Sequence, residues 1–138
     1  MRDLLIINNF PDWNTPGFSV DNWHSQYLKS NVIFNARTSS AYYPSHWGPL
    51  SVKCAFNGNE FYSAGNCRYR VNSGNYLLLN EGMEYSSRIE EHHPVDSFTI
   101  CFSPSFKNDV LECFLSSNED LLDDPGAKEF VFHTPSKP

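Results

Sequence analysis

The chain has 138 residues, a formal net charge of −6 at pH 7 and an aromatic content of 15%; that length makes one domain with a real core the simplest organisation. Most of the acidity lies from Glu81 onward, which leaves few cations for counterion release and argues against a chain that grips a phosphate backbone by itself. No apolar run reaches the ~20 residues that span a bilayer, and MRDLLIINNF is too short in its apolar part for a signal peptide, so the expectation is a cytoplasmic protein with no membrane partner.

Eleven Phe and seven Tyr favour strands, because flat side chains suit a pleated surface. Residues 1–30 carry the turn signals Phe10-Pro11-Asp12 and Asn14-Thr15-Pro16-Gly17 around Trp13, Phe18 and Trp23. They read as an irregular N-terminal arm with one short strand or helix, held down by its aromatics. From Asn31 the pattern becomes regular: Val32, Phe34 and Ala36 alternate with Ile33, Asn35 and Arg37. Tyr42-Tyr43-Pro44 and His46-Trp47-Gly48-Pro49 then read as an aromatic bend.

Leu50, Val52, Cys54 and Phe56 alternate with Ser51, Lys53, Ala55 and Asn57, a half-buried strand by its period of two. Asn57-Gly58-Asn59 is a hairpin signal leading into Glu60-Phe61-Tyr62-Ser63. Ala64-Gly65-Asn66 turns into Cys67-Arg68-Tyr69-Arg70-Val71, and Asn72-Ser73-Gly74 into Tyr76 to Leu79. Glu81-Gly82 leads to Tyr85-Ser86-Ser87-Arg88-Ile89, and Glu90 to Pro94 reads as an exposed hairpin before the alternating strand Val95 to Phe102. Short strands with turns every eight to twelve residues indicate an antiparallel sandwich or barrel.

One helix is expected near residues 104–116. Ser103 can cap it, Pro104 suits the first helical position, and Phe106, Val110, Cys113 and Phe114 recur at helical spacing. Residues 116–126 read as an acidic loop and Glu129 to His133 as a last strand, and the ending at Pro138 looks like a cut between domains. Cys54, Cys67, Cys101 and Cys113 are widely spaced with no C-x-x-C pair, so they read as reduced small hydrophobes rather than a zinc site or disulfides.

Gly58, Glu60-Phe61-Tyr62, Arg68-Tyr69-Arg70-Val71, Gly74, Tyr76 to Gly82 and Pro94-Val95-Asp96-Ser97-Phe98 follow one another in a particular order. Through that order, the segment from Gly48 to about Val110 resembles the N-terminal sensing domain of AraC-type transcriptional regulators. The resemblance implies an all-β fold: a cupin-like double-stranded β-helix (jelly-roll barrel) over residues 31–138, with one short α-helix. It implies a small-molecule effector, a sugar or related metabolite, held inside that barrel. It also implies DNA contact only through a C-terminal helix-turn-helix domain absent from this chain, and an exposed barrel edge leaves room for a homodimer.

Metal-dependent cupins carry G-x5-P-x-G-x2-H-x3-N. On this sequence Gly74 and Gly82 fit, but Asn80, Tyr85 and Ile89 replace the proline, histidine and asparagine. In the partner motif H-x-H-x3-4-E-x6-G, closing on Gly58, Ser51 stands at the glutamate and only His46 lies near the histidines. A neutral phenol is a poor ligand for a divalent ion, so no metal and no other cofactor is expected. His92-His93 are adjacent and face opposite ways on a strand, and His24 and His133 have no partner at ligand spacing. With no nucleophile elbow, phosphate loop or H-E-x-x-H either, the chain is expected not to be an enzyme. The alternative is a small cupin enzyme or stand-alone module acting on a sugar or oxo-acid.

A polar metabolite needs stacking aromatics and a few fixed polar groups in a concave site. The candidates are Tyr43, His46, Trp47, Tyr62 and Tyr85 near strand ends, with Arg37 and Arg88 as charged clamps. Trp13, Phe18 or Trp23 of the arm would close over the barrel mouth.

Overall fold

The computed structural model describes residues 4–9, 11–27 and 29–117. In chain order they form strand β1 (Leu4–Ile7), helix α1 (Val20–Tyr27), strands β2 (Asn31–Trp47), β3 (Ser51–Phe56), β4 (Glu60–Ala64), β5 (Cys67–Val71), β6 (Leu77–Leu79) and β7 (Glu84–Cys101), and helix α2 (Pro104–Ser117). The protein is mostly β, as its aromatic-rich composition suggests. The expected strand at Glu129 to His133 and most of the acidic loop lie outside the described residues. No helix of the described residues is long and apolar enough to cross a membrane.

The two long strands carry the architecture. β2 and β7 pair antiparallel from Val32↔Cys101 to Trp47↔Glu84, with register shifts between Thr38 and Ser40 and between Tyr43 and His46. The C-terminal half of β7 also pairs with β3, which in turn pairs with β6. Its N-terminal half pairs with β4, and β4 with β5. β1 adds to β2 in parallel, which requires a crossover connection; the arm and α1 supply it. The result is a mixed sheet, and among the described residues it is not closed into a barrel. The jelly-roll expectation is met only in being predominantly β, because β3 does not pair with β4, nor β5 with β6, to seal the seam.

The two flanks of the β2–β7 ribbon share one core. Ala55, Leu77, Leu79 and Val95 from one flank pack with Tyr62, Ala64, Val71, Tyr85 and Ile89 from the other. A second cluster of Val32, Phe34 and Cys101 receives Ile7, Trp23 and Tyr27 from the N-terminal region. Those contacts make the arm more regular than the turn signals imply, since it contains both a strand and a helix. Ser19 caps α1: its carbonyl accepts from Trp23 N at 3.0 Å and its hydroxyl from Asn22 N at 3.3 Å. Ser103 caps α2 in the same way, accepting from Phe106 N at 3.2 Å. Of the stripe read on α2, Phe106 is half-buried and stacks on Phe102 at 5.7 Å, whereas Val110 is 48% exposed and Cys113 also lies at the surface.

Three local expectations are corrected. The aromatic stretch 42–49 is not a bend, because β2 runs through Pro44 to Trp47. Residues 90–94 are not a hairpin but part of β7: Glu90 pairs with Ser40, and residues 91–94 form a register irregularity opposite Ser39. The phase of β3 is inverted: Ser51, Lys53 and Ala55 face the interior, while Phe56 is 45% exposed.

Candidate functional site

The inward faces of the two flanks meet at a cavity of about 80 Å³. Its floor is laid by cross-strand rows, in which residues opposite one another share a face. One row is Phe34–Thr99–Lys53 across β2, β7 and β3. The other is Tyr43–Ser87–Tyr62 across β2, β7 and β4, with His46 opposite Tyr85 in the next row. The roof comes from the N-terminal region: Pro11, Trp13, Phe18, Val20, Trp23 and His24.

Lys53 is 7% exposed, and its Nζ donates to the Tyr85 hydroxyl at 3.0 Å while lying 4.9 Å from that ring's centroid. Burial opposes the ammonium charge. Tyr85, which accepts its hydrogen bond, Cys101 and Glu60 favour it and carry the pKa above its ordinary value. An ammonium has three N–H donors, and Tyr85 is its hydrogen-bond partner among the described residues.

Glu60, at 3% exposure, accepts from the Ser97 hydroxyl at 2.7 Å and from the Tyr62 phenol. Burial lifts its pKa above the ordinary value against the pull of those donors and of Lys53. No ion pair joins Lys53 to Glu60 among the described residues. Burial and the nearby Glu60 raise the Tyr43 phenol to about 12 and lift Tyr62 as well. Both phenols are therefore neutral donors near pH 7.

The imidazoles are neutral too. Burial depresses His46, against its 2.8 Å hydrogen bond to the Pro44 carbonyl. A carbonyl only accepts, so Nδ1 carries the proton and Nε2 a lone pair. Burial depresses His24 as well, helped by His46. Its ring lies 4.3 Å from Trp47, and its buried Nδ1 has no hydrogen-bond partner among the described residues.

Tyr85 is the hub. Its ring lies 4.5 Å from His46 and 6.0 Å, stacked, from Tyr62. It also runs so close to Gly48 that a Cβ there would meet it at 3.1 Å. Trp13 seats the roof, 5.0 Å from His46, 5.7 Å from Tyr43 and 5.3 Å from Phe18.

Of the residues expected from sequence, Tyr43, His46, Tyr62 and Tyr85 line this cavity and Arg37, Trp47 and Arg88 do not. Trp47 lies against His24 and donates from Nε1 to Asp21 at 3.1 Å, so it pins α1. Arg37 is exposed beside Asp96 at 3.8 Å. Arg88 is exposed beside Glu90 at 3.9 Å and lies 5.7 Å from the Phe61 ring on the outer face. Both arginines follow the period of two: their chain neighbours Ala36 and Ile89 are buried, so they must point outward.

Among the cavity residues that sequence reasoning missed are Lys53, Glu60 and His24. Lys53 sits on the face of β3 opposite the apolar one, and Glu60 opens the segment that follows the 57–59 hairpin. A cation and a carboxylate placed in phase with Ala55 and Tyr62 was the signal for them. For His24 the sequence holds no metal-ligand spacing, and its position follows from α1 docking. Comparison with known protein families, with characterised proteins and with solved structures returned no match to this chain.

Proposed function

We infer that the chain is a small-molecule-sensing unit, and that it serves a transcription regulator of AraC type. The ligand-binding half of this reading rests on one observation: a buried ammonium, Lys53, with donors to spare, on the floor of a cavity roofed by aromatic side chains. Concave, mostly apolar sites with a few fixed polar groups are what small ligands occupy. The regulatory half is supported by the order of strands and glycine turns from Gly48 to about Val110. On this reading the scaffold is a cupin-like one left open at its seam. Effector binding biases the DNA-binding part through its different affinity for two arrangements of the arm and strands.

The test is calorimetric titration of the full chain with a panel of sugars, oxo-acids and short carboxylic acids. Saturable one-to-one binding, abolished or weakened by Tyr85→Phe in a chain that still unfolds cooperatively, is the expected result. Absence of saturable binding across the panel would remove the sensor reading. For the regulatory half, a reading frame continuing past Pro138 into two helix-turn-helix units is expected. A stop directly after Pro138 favours a stand-alone binding module instead.

One observation favours an enzyme as second reading: Glu60, a buried carboxyl with a raised pKa facing a lysine, is the kind of group acid–base chemistry uses. Conversion of a bound panel compound to product, lost in Glu60→Gln, would establish that reading in place of the sensor.

A further inference from the structure

We propose that the ligand of this cavity is a small carboxylate with a short apolar tail, its carboxylate on Lys53 and Tyr85 and its tail under the aromatic roof. The inference rests on the reading of the cavity as a small-molecule site and names the class of molecule that fits it.

Charge is the first argument. A buried ammonium is costly unless an anion or a full set of hydrogen bonds accompanies it. Lys53 has the Tyr85 oxygen, and no ion pair among the described residues. Glu60 is the other formally charged side chain in the lining and favours the ammonium from a distance, but it forms no ion pair with Lys53 among the described residues and its oxygens already take the Ser97 and Tyr62 hydrogens. A ligand carboxylate places a negative charge directly beside the ammonium and accepts from its unspent N–H donors. The phenol proton of Tyr85 is available to a second carboxylate oxygen. A neutral polyol would accept hydrogen bonds there without balancing the charge.

Size is the second. A cavity of about 80 Å³ is small beside the roughly 300–1,000 Å³ of sites that hold drug-sized ligands. It favours a compact molecule, of which butyrate and isovalerate are examples. A hexose is bulkier and polar on every side, so the sugar expected from sequence is the poorer fit.

Polarity is the third. The polar groups cluster at the floor, on Lys53, Glu60, Tyr62 and Tyr85, whereas Trp13, Phe18, Val20 and Trp23 face them from the arm and α1. His24, the polar member of that roof, has a buried Nδ1 with no hydrogen-bond partner among the described residues, a further point where a ligand's polar atom completes a hydrogen bond.

The experiment is titration calorimetry of the full chain with butyrate and isovalerate, with their uncharged amides, and with a pentose and a hexose. The acids are expected to bind saturably and at least about tenfold more tightly than the amides. In Lys53→Met the acid affinity should fall to that of the amide while cooperative unfolding is retained. The acid–amide comparison is made on the wild-type chain and so does not depend on how the variant folds. Amides binding as tightly as acids, or sugars binding while acids do not, would overturn the carboxylate assignment and leave the small-molecule site standing. No saturable binding by any compound, acids included, would overturn both.

Discussion

Lys53 and Tyr85 each satisfy a polar group that the other would leave stranded. Tyr85→Phe removes the oxygen at 3.0 Å from Nζ and leaves a buried cation without that partner, a loss of about 1–3 kcal/mol. Lys53→Met removes the charge itself, and an apolar side chain of similar length is often tolerated or stabilising there. The double variant should therefore recover most of the stability lost in Tyr85→Phe, giving a coupling energy of at least about 1 kcal/mol in urea unfolding. Additive effects would mean that the hydrogen bond does not hold the pair.

The titrating residues make opposite contributions with pH. Glu60 has a folded pKa above its ordinary 4.5, so the folded chain keeps a proton that the unfolded chain has released. Its contribution therefore falls as pH rises from about 4.5 through the raised value. His24 and His46 have folded pKa values below their ordinary 6.5. Their contribution is complete above about 6.5 and is lost as pH falls through the depressed values. Between these limits the effects oppose each other. Melting temperatures from pH 7.5 to pH 4.5 should fall more steeply in Glu60→Gln than in wild type, and less steeply in His46→Gln. The same slope in all three proteins would mean that neither group is perturbed as described.

At the scale of elements, the turn between β3 and β4 and the bulge of β7 depend on one another. Asn59 donates from both N and Nδ2 to Glu91 at 3.1 Å, and His93 Nε2 contacts the Asn57 carbonyl at 2.5 Å. Gly58, at φ +154°, leaves no space for a Cβ, which would stand 2.6 Å from Val95 Cγ2. Gly58→Ala should therefore cost about 2 kcal/mol or more, from backbone strain and overpacking together. Gly65, at φ +60° with open space around it, meets strain alone, so Gly65→Ala should cost only about 1–2 kcal/mol. Chemical denaturation of the two variants compares them directly, and equal losses would mean that the turn does not pack on β7.

That pair of elements also explains what the sequence made legible. The turns at 57–59, 64–66 and 72–74 and the capped helix at Pro104 could be read, because each is encoded by local residues. The two long strands were divided, since Pro44 and Pro94 look like breaks. Both prolines sit at register irregularities of the β2–β7 ladder, where a missing N–H costs no paired bond. Counting apolar residues selects the wrong face of β3, because its interior side carries the polar Ser51 and Lys53. Four aromatic or imidazole wall residues were visible as strand-end aromatics. The ionisable floor was not, since its position depends on β3 and β4 folding onto opposite halves of β7.

At the scale of the whole molecule, an acidic chain holds a buried cation under a cover of local structure. Between β1 and α1 the arm folds on itself: Asn14 N bonds Asp12 Oδ1 at 2.9 Å, Thr15 N the Asp12 carbonyl at 3.1 Å and Phe18 N the Thr15 carbonyl at 3.0 Å. Trp13 joins that short turn to the strands through Tyr43 and His46. Pro11, Trp13 and Phe18 line the cavity from this segment, and the hydrogen bonds just named run within the turn itself, the pattern of a segment that opens at low free energy while the core stays closed. Trp13→Ala should speed amide exchange over residues 11–18 by at least about tenfold and leave the paired halves of β2 and β7 unchanged. Dissociation of the proposed carboxylate should accelerate in the same variant, because the cover over the cavity opens more often. Uniformly faster exchange across β2 and β7 would mean instead that the arm is part of the cooperative core, and ligand would then have to enter through the open seam of the sheet.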